Sequence, residues 1–151
     1  MKTLICINNL SYSQFNNEVF TYVDNYVDNS TYDVSFASID QTMPFMDVNT
    51  AVFSASSMDS FNDGVIISNT IEIAEMILSS SNSSKKVLFL YDLEWMFKQM
   101  FYSEIYKVLT DNNLLLISRH KDHSSIIKNT CKREPDAIIE KFDLEKIWNL
   151  L

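Results

Sequence analysis

The sequence predicts a three-layer, Rossmann-like α/β domain built on a mainly parallel sheet of about six strands. Three observations carry that prediction. Short apolar runs alternate with segments whose apolar residues return at three- and four-residue steps, from one end of the 151-residue chain to the other. The central runs VIIS, VLFLY and LLLI show almost no polar alternation, as expected of strands covered on both faces by helices. Helical crossovers between such strands favour a parallel sheet.

The elements follow in order. Thr3 to Ile7 is a short strand ending in Asn8-Asn9. Phe15, Val19, Tyr22, Val23, Tyr26 and Val27 then share one helical face, with Ser13 as N-cap. After the Asn29-Ser30 break, Val34 and Phe36 alternate with polar neighbours as a second strand. Residues 40–62 read as a long connection with room for a short strand or helical turn. Gly64, the one glycine of the chain, predicts a tight turn into Val65–Ser68. Asn69, with Glu72 three residues on, resembles a capping box for a helix over Thr70–Leu78. VLFLY is the fourth strand. Trp95, Met96, Met100, Phe101, Ile105, Val108 and Leu109 predict helix over 93–112, broken near Tyr102-Ser103. Leu114–Ile117 is a fifth strand, and Asp122 is expected to cap a helix containing Ile126 and Ile127. Ala137–Ile139 is a sixth strand, and Asp143 caps a last helix whose Leu144, Ile147, Trp148 and Leu151 share a face. No linker or repeat divides the chain, so residues 1–151 form a single domain.

Composition excludes several classes. No apolar run reaches the ~18 residues needed to span a bilayer, and MKTLICIN is too short in apolar residues for a signal peptide. A cytoplasmic protein is expected, with Cys6 and Cys131 as reduced thiols. A net charge of -8, with 12 Lys and Arg in no basic cluster, argues against gripping a phosphate backbone unaided. A role with nucleic acid is therefore left open only weakly, through an acidic mimic whose carboxylate stripe the sequence lacks. The loop NNLSYSQ contains neither of the glycine patterns that cradle a dinucleotide or ATP, and no G-x-S-x-G turn exists for a hydrolase.

Ligands of open α/β sheets bind beyond the carboxyl ends of the strands, where strand order reverses. The polar residues expected there are Asn8, Asn9, Ser68, Asn69, Arg119 and His120 as ligand-binding groups, with Asp92 and Glu94 as the acidic pair. Asp92 suits a general base taking a proton from a hydroxyl. The alternative is that Asp92 or Glu94 caps the following helix or pairs with Arg119 on the adjacent strand end. Trp95 reads either as a stacking platform or as core. His120 and His123 lack an evident third ligand, so no metal site is expected.

The succession DGVIISNT, KKVLFLYDLEW, LLLISRHKDH and IIEKFDLEKI resembles the N-terminal, acceptor-side half of GT-B glycosyltransferases, most closely the phage DNA glucosyltransferase type. The resemblance implies a Rossmann-like half facing the acceptor, with Asp92 at the position of the catalytic base. In that family a second half binds most of the nucleotide sugar. FDLEKIWNLL falls roughly where the linker to that half would begin, so no cofactor is expected on this chain alone. A nucleotide sugar is expected only with a second domain or partner. A transferase-like binding or regulatory protein is the alternative. The apolar face of the last helix, at Ile147, Trp148 and Leu151, is the expected surface for a partner or second copy.

Overall fold

The computed structural model describes residues 1–27, 32–97 and 102–151. The Asn29-Ser30 break and the predicted helical positions Met100 and Phe101 lie outside the described residues, as do the side chains of Tyr26 and Val27. Among the described residues, seven strands form one sheet: β1 (Lys2–Ile7), β2 (Asp33–Ser38), β3 (Val52–Ser54), β4 (Val65–Ser68), β5 (Lys85–Leu90), β6 (Leu114–Ser118) and β7 (Ala137–Ile138). Their order is β3-β2-β1-β4-β5-β6-β7, and every pairing is parallel. The chain starts in the middle of the sheet, builds outward to β3, then returns across β1 to lay down β4 and continue the other way. Strand order therefore reverses between β1 and β4.

Among the described residues, five α-helices cover the sheet: α1 (Gln14–Val27), α2 (Ile71–Ser79), α3 (Tyr102–Leu109), α4 (Lys121–Cys131) and α5 (Leu144–Trp148). Alternate strand residues serve opposite layers. Ile5, Ile67, Val87, Phe89 and Ile117 pack with Phe15, Val19 and Val23 of α1 and with Leu144 and Ile147 of α5. On the opposite face, Leu88, Leu90, Leu114 and Leu116 meet Ala74 of α2, Ile105, Val108 and Leu109 of α3, and Ile127 of α4, while Leu4, Cys6 and Ile66 meet Ile73 and Ile77 of α2. Cys6 and Cys131 are free and buried, and burial pushes the Cys6 thiol up to about 12. Among the described residues, no helix is long and apolar enough to cross a membrane.

The extra strand, β3, and a 3₁₀ turn over Ala55–Ser60 occupy part of residues 40–62. β3 is a three-residue edge strand whose Val52 and Phe53 stay exposed, so it lacks the burial pattern that marks its neighbours. Capping also differs from expectation at two places. The N-cap of α2 is Thr70, whose Oγ1 accepts from Ile73 N at 3.3 Å, one residue beyond Asn69. At α4 the N-cap position belongs to His120, without a side-chain cap, and Asp122 lies in the first turn. Ser13 and Asp143 cap as expected, accepting from Asn16 N and Lys146 N.

The apolar face of α5 packs against the core. Ile147 is fully buried in the core, and Trp148 rests against Tyr32 at 4.4 Å between rings while its Nε1 donates to Thr3 Oγ1. The amphipathic pattern is satisfied by the sheet, which removes the reason for a partner at Ile147 and Trp148. Leu151 lies beyond the helix and is exposed.

Gly64 has an ordinary backbone; the left-handed residue of that turn is Asp63, with φ 60°. Glycine is required at 64 because a Cβ would lie 2.6 Å from the Lys2 carbonyl oxygen and 2.8 Å from Phe61 Cε1. Gly64→Ala is accordingly expected to cost about 1–3 kcal/mol by overpacking against backbone. Urea denaturation measures this, and an unchanged midpoint would contradict the close approach.

Candidate functional site

A crevice of about 330 Å³ opens at the carboxyl ends of β1, β4 and β5, at the reversal of strand order. Its wall includes Asn8 and Asn9 after β1, Asn69, Thr70 and Glu72 at the start of α2, Tyr91, Asp92, Glu94 and Trp95 after β5, and Arg119 after β6. The N-terminal turn of α1, from Ser13 to Asn16, completes it. The fold thus brings together six of the eight expected site residues: Asn8, Asn9, Asn69, Asp92, Glu94 and Arg119.

The other two lie elsewhere. Ser68 is fully buried within β4, and its hydroxyl donates to the Val87 carbonyl of β5 at 3.1 Å. It is a sheet-internal group and does not line the crevice. His120 is exposed at the head of α4, with its ring 5.2 Å from that of His123. Burial, His120 and Arg119 together hold the His123 imidazole below its ordinary range. Among the described residues, no group of three or more His, Cys, Asp and Glu is placed to hold a metal ion.

Asp92 is exposed, and its Oδ1 accepts from Glu94 N at 3.0 Å. That bond opens a 3₁₀ turn over Glu94–Phe97, so the capping reading is realised geometrically. No ion pair joins Asp92 to Arg119 among the described residues. Arg119 instead lays its guanidinium over the Tyr91 ring, 4.1 Å from the centroid, and donates from Nε to the Glu140 carbonyl. Trp95 is only 5% exposed and packs with Ile71, Leu88 and Ile105, so it is core rather than an open stacking platform.

Two parts of the site were not predicted. Asn16 is buried, and its Nδ2 donates to the carbonyls of Asn9 and Ser11, fixing the β1–α1 loop. Its position three residues after the Ser13 cap is the signal that could have found it. Glu18 accepts the Tyr91 hydroxyl on Oε2 at 2.8 Å and the Phe142 backbone N–H on Oε1. It sits three residues after Phe15 and four before Tyr22, on the edge of the apolar face of α1, where a carboxylate needs a partner. Burial of Tyr91, and then its bond to Glu18, push the phenol up to about 12.

Among the described residues, the buried Asn69 Oδ1 and Trp95 Nε1, both on crevice residues, show no hydrogen-bond partner. Buried polar atoms are generally paired with protein, water or ligand. No protein-family model, curated protein or solved structure matches the chain.

The Glu18–Tyr91 pair gives a pH-dependent expectation. The folded phenol titrates above its ordinary 10, so its contribution is complete below pH 10 and is lost as pH rises through about 12. Tyr91→Phe should flatten the alkaline limb of stability between those values. Glu18→Ala should cost about 2 kcal/mol or more, since it strands two donors. A double-mutant denaturation cycle with Tyr91→Phe should show coupling, and strict additivity would rule the bond out as a stabilising one.

Proposed function

We propose that the chain is a glycosyltransferase-like acceptor domain. It holds a hydroxyl-bearing molecule in the β1/β4/β5 crevice while a separate donor-binding unit supplies the nucleotide sugar. The observation that carries this reading is the place of Asp92: it lies at the mouth of β5, on one wall with Asn8, Asn9, Asn69 and Arg119, where strand order reverses. Ligands of open parallel sheets bind at such points.

The chemistry assigns each group a task. Asp92 takes the proton of the acceptor hydroxyl as that oxygen bonds to the anomeric carbon, and the nucleoside diphosphate leaves with its bonding electrons. One Asp92 oxygen, fixed by Glu94 N, orients the carboxylate. The asparagine amides position hydroxyls. The donor diphosphate belongs to the other unit, because no glycine-rich loop here lets backbone approach a pyrophosphate.

A second reading, a non-catalytic binding or regulatory protein, is favoured by the same Asp92–Glu94 bond, since a cap accounts for Asp92 without catalysis. Asp92→Asn separates the two because an amide oxygen can still accept from Glu94 N. Combined with a donor-binding unit and labelled nucleotide sugar, the transferase reading expects Asp92→Asn to lower transfer about 100-fold or more with an unchanged melting midpoint. The binding reading expects unaltered ligand affinity in Asp92→Asn, while Asp92→Ala loses about 1 kcal/mol of capping stability. Equal transfer by wild type and Asp92→Asn sinks the catalytic role.

A further inference from the structure

The crevice also carries information about which molecule it takes. Three carboxylates, Glu72, Asp92 and Glu94, lie on its wall against the single cation Arg119, among the described residues. Arg119 is partly committed, through its Tyr91 and Glu140 contacts. The start of α2 opens onto the crevice, but Glu72 occupies its first turn and already complements the helix dipole. A phosphate entering here meets like charge. The unpartnered Trp95 Nε1–H needs an acceptor and the unpartnered Asn69 Oδ1 needs a donor. A hydroxyl group supplies either, whereas an ammonium supplies only the donor. A volume of about 330 Å³ falls at the small end for ligand pockets.

We infer that the crevice takes an uncharged, hydroxyl-rich molecule the size of a single sugar ring, held by the Trp95 indole N–H and the Asn69 amide oxygen, and that it discriminates against phosphorylated forms. This deepens the proposed function and rests on its reading of the crevice as a binding site.

The test is a calorimetric and heteronuclear NMR titration of the full chain with three sets of probes: methyl glycosides of glucose, galactose and mannose; glucose 1-phosphate and glucose 6-phosphate; and inorganic phosphate. At least one methyl glycoside should bind and shift the Trp95 indole and Asn69 amide signals, and its affinity should exceed that of the sugar phosphates about tenfold or more. Trp95→Phe should weaken that glycoside about fivefold, measured well below a melting midpoint that itself falls, because the shorter ring leaves a cavity beside Ile71, Leu88 and Ile105. Should Trp95→Phe fail to fold, Asn69→Ala replaces it with the same expected weakening. Tighter binding of the phosphorylated probes at these signals overturns the inference and leaves the crevice intact as a binding site. No shift at the crevice with any probe overturns the inference and the binding reading together. Binding of a glycoside with undiminished affinity in both variants overturns the assigned contacts.

Discussion

A single carboxylate, Glu18, ties the first helix to the middle and the end of the chain. Its two oxygens take the Tyr91 hydroxyl at the mouth of β5 and the Phe142 N–H just ahead of α5. A half-buried carboxylate is stable only when such bonds offset its lost hydration. Both donors sit in an aromatic layer: Phe15 lies 5.3 Å from Tyr91 and 6.1 Å from Phe142, and Phe89 lies 5.8 Å from Phe142. The bonds therefore set the depth at which α1 rests on the sheet. They also reach the crevice, since the Tyr91 ring they hold is the surface on which Arg119 lies. The position of the crevice cation thus descends from a residue that does not itself line the crevice.

The same economy explains how an α/β domain with one glycine builds a strand-end site. Nucleotide-binding relatives of this architecture bring backbone close to phosphate through glycines. Here the β1–α1 loop is held by side chains instead. Asn16 clasps two of its carbonyls, Asn9 Oδ1 accepts from Ser11 N, and Thr42 Oγ1 accepts from Leu10 N. Strand-end serines are consumed internally: the hydroxyls of Ser38 and Ser68 donate to the carbonyls of Asp40 and Val87. The residues left on the crevice wall are mostly amides and carboxylates, with Arg119 as the cation among the described residues.

How far the sequence revealed this depends on the range of the interactions involved. VIIS, VLFLY and LLLI were legible because burial on both faces leaves an unbroken apolar run, a purely local mark. Ser13 and Asp143 were legible because a cap bonds within three residues. β3 was legible only as room for a short strand within residues 40–62, since an exposed edge strand of three residues has no run to display. The face of α5 was read correctly as apolar, but the inward packing of Ile147 and Trp148 leaves its reading as a docking surface without support: periodicity says that a face must be covered, not by what. Glu18 lay beyond reach because its partners are 73 and 124 residues away. In the site, strand-end position located six of eight residues, and the two exceptions failed for opposite reasons. Ser68 points its hydroxyl into the sheet, and His120 stands clear of the crevice at the head of α4.

Asp92 shows why capping and chemistry are poor alternatives at a strand mouth. A residue leaving a buried strand must turn the chain and satisfy the first free N–H of the next helical turn, and aspartate does both. The bond to Glu94 N uses one of its oxygens and holds the carboxylate in a fixed orientation. A fixed orientation is also what a proton acceptor needs, because general-base transfer demands reach and alignment before basicity. The local requirement that places an acidic residue at the end of VLFLY therefore yields, at no further structural cost, an oriented carboxylate on the wall of the crevice. Whether a domain of this kind catalyses or merely binds then turns on what is brought to face that carboxylate.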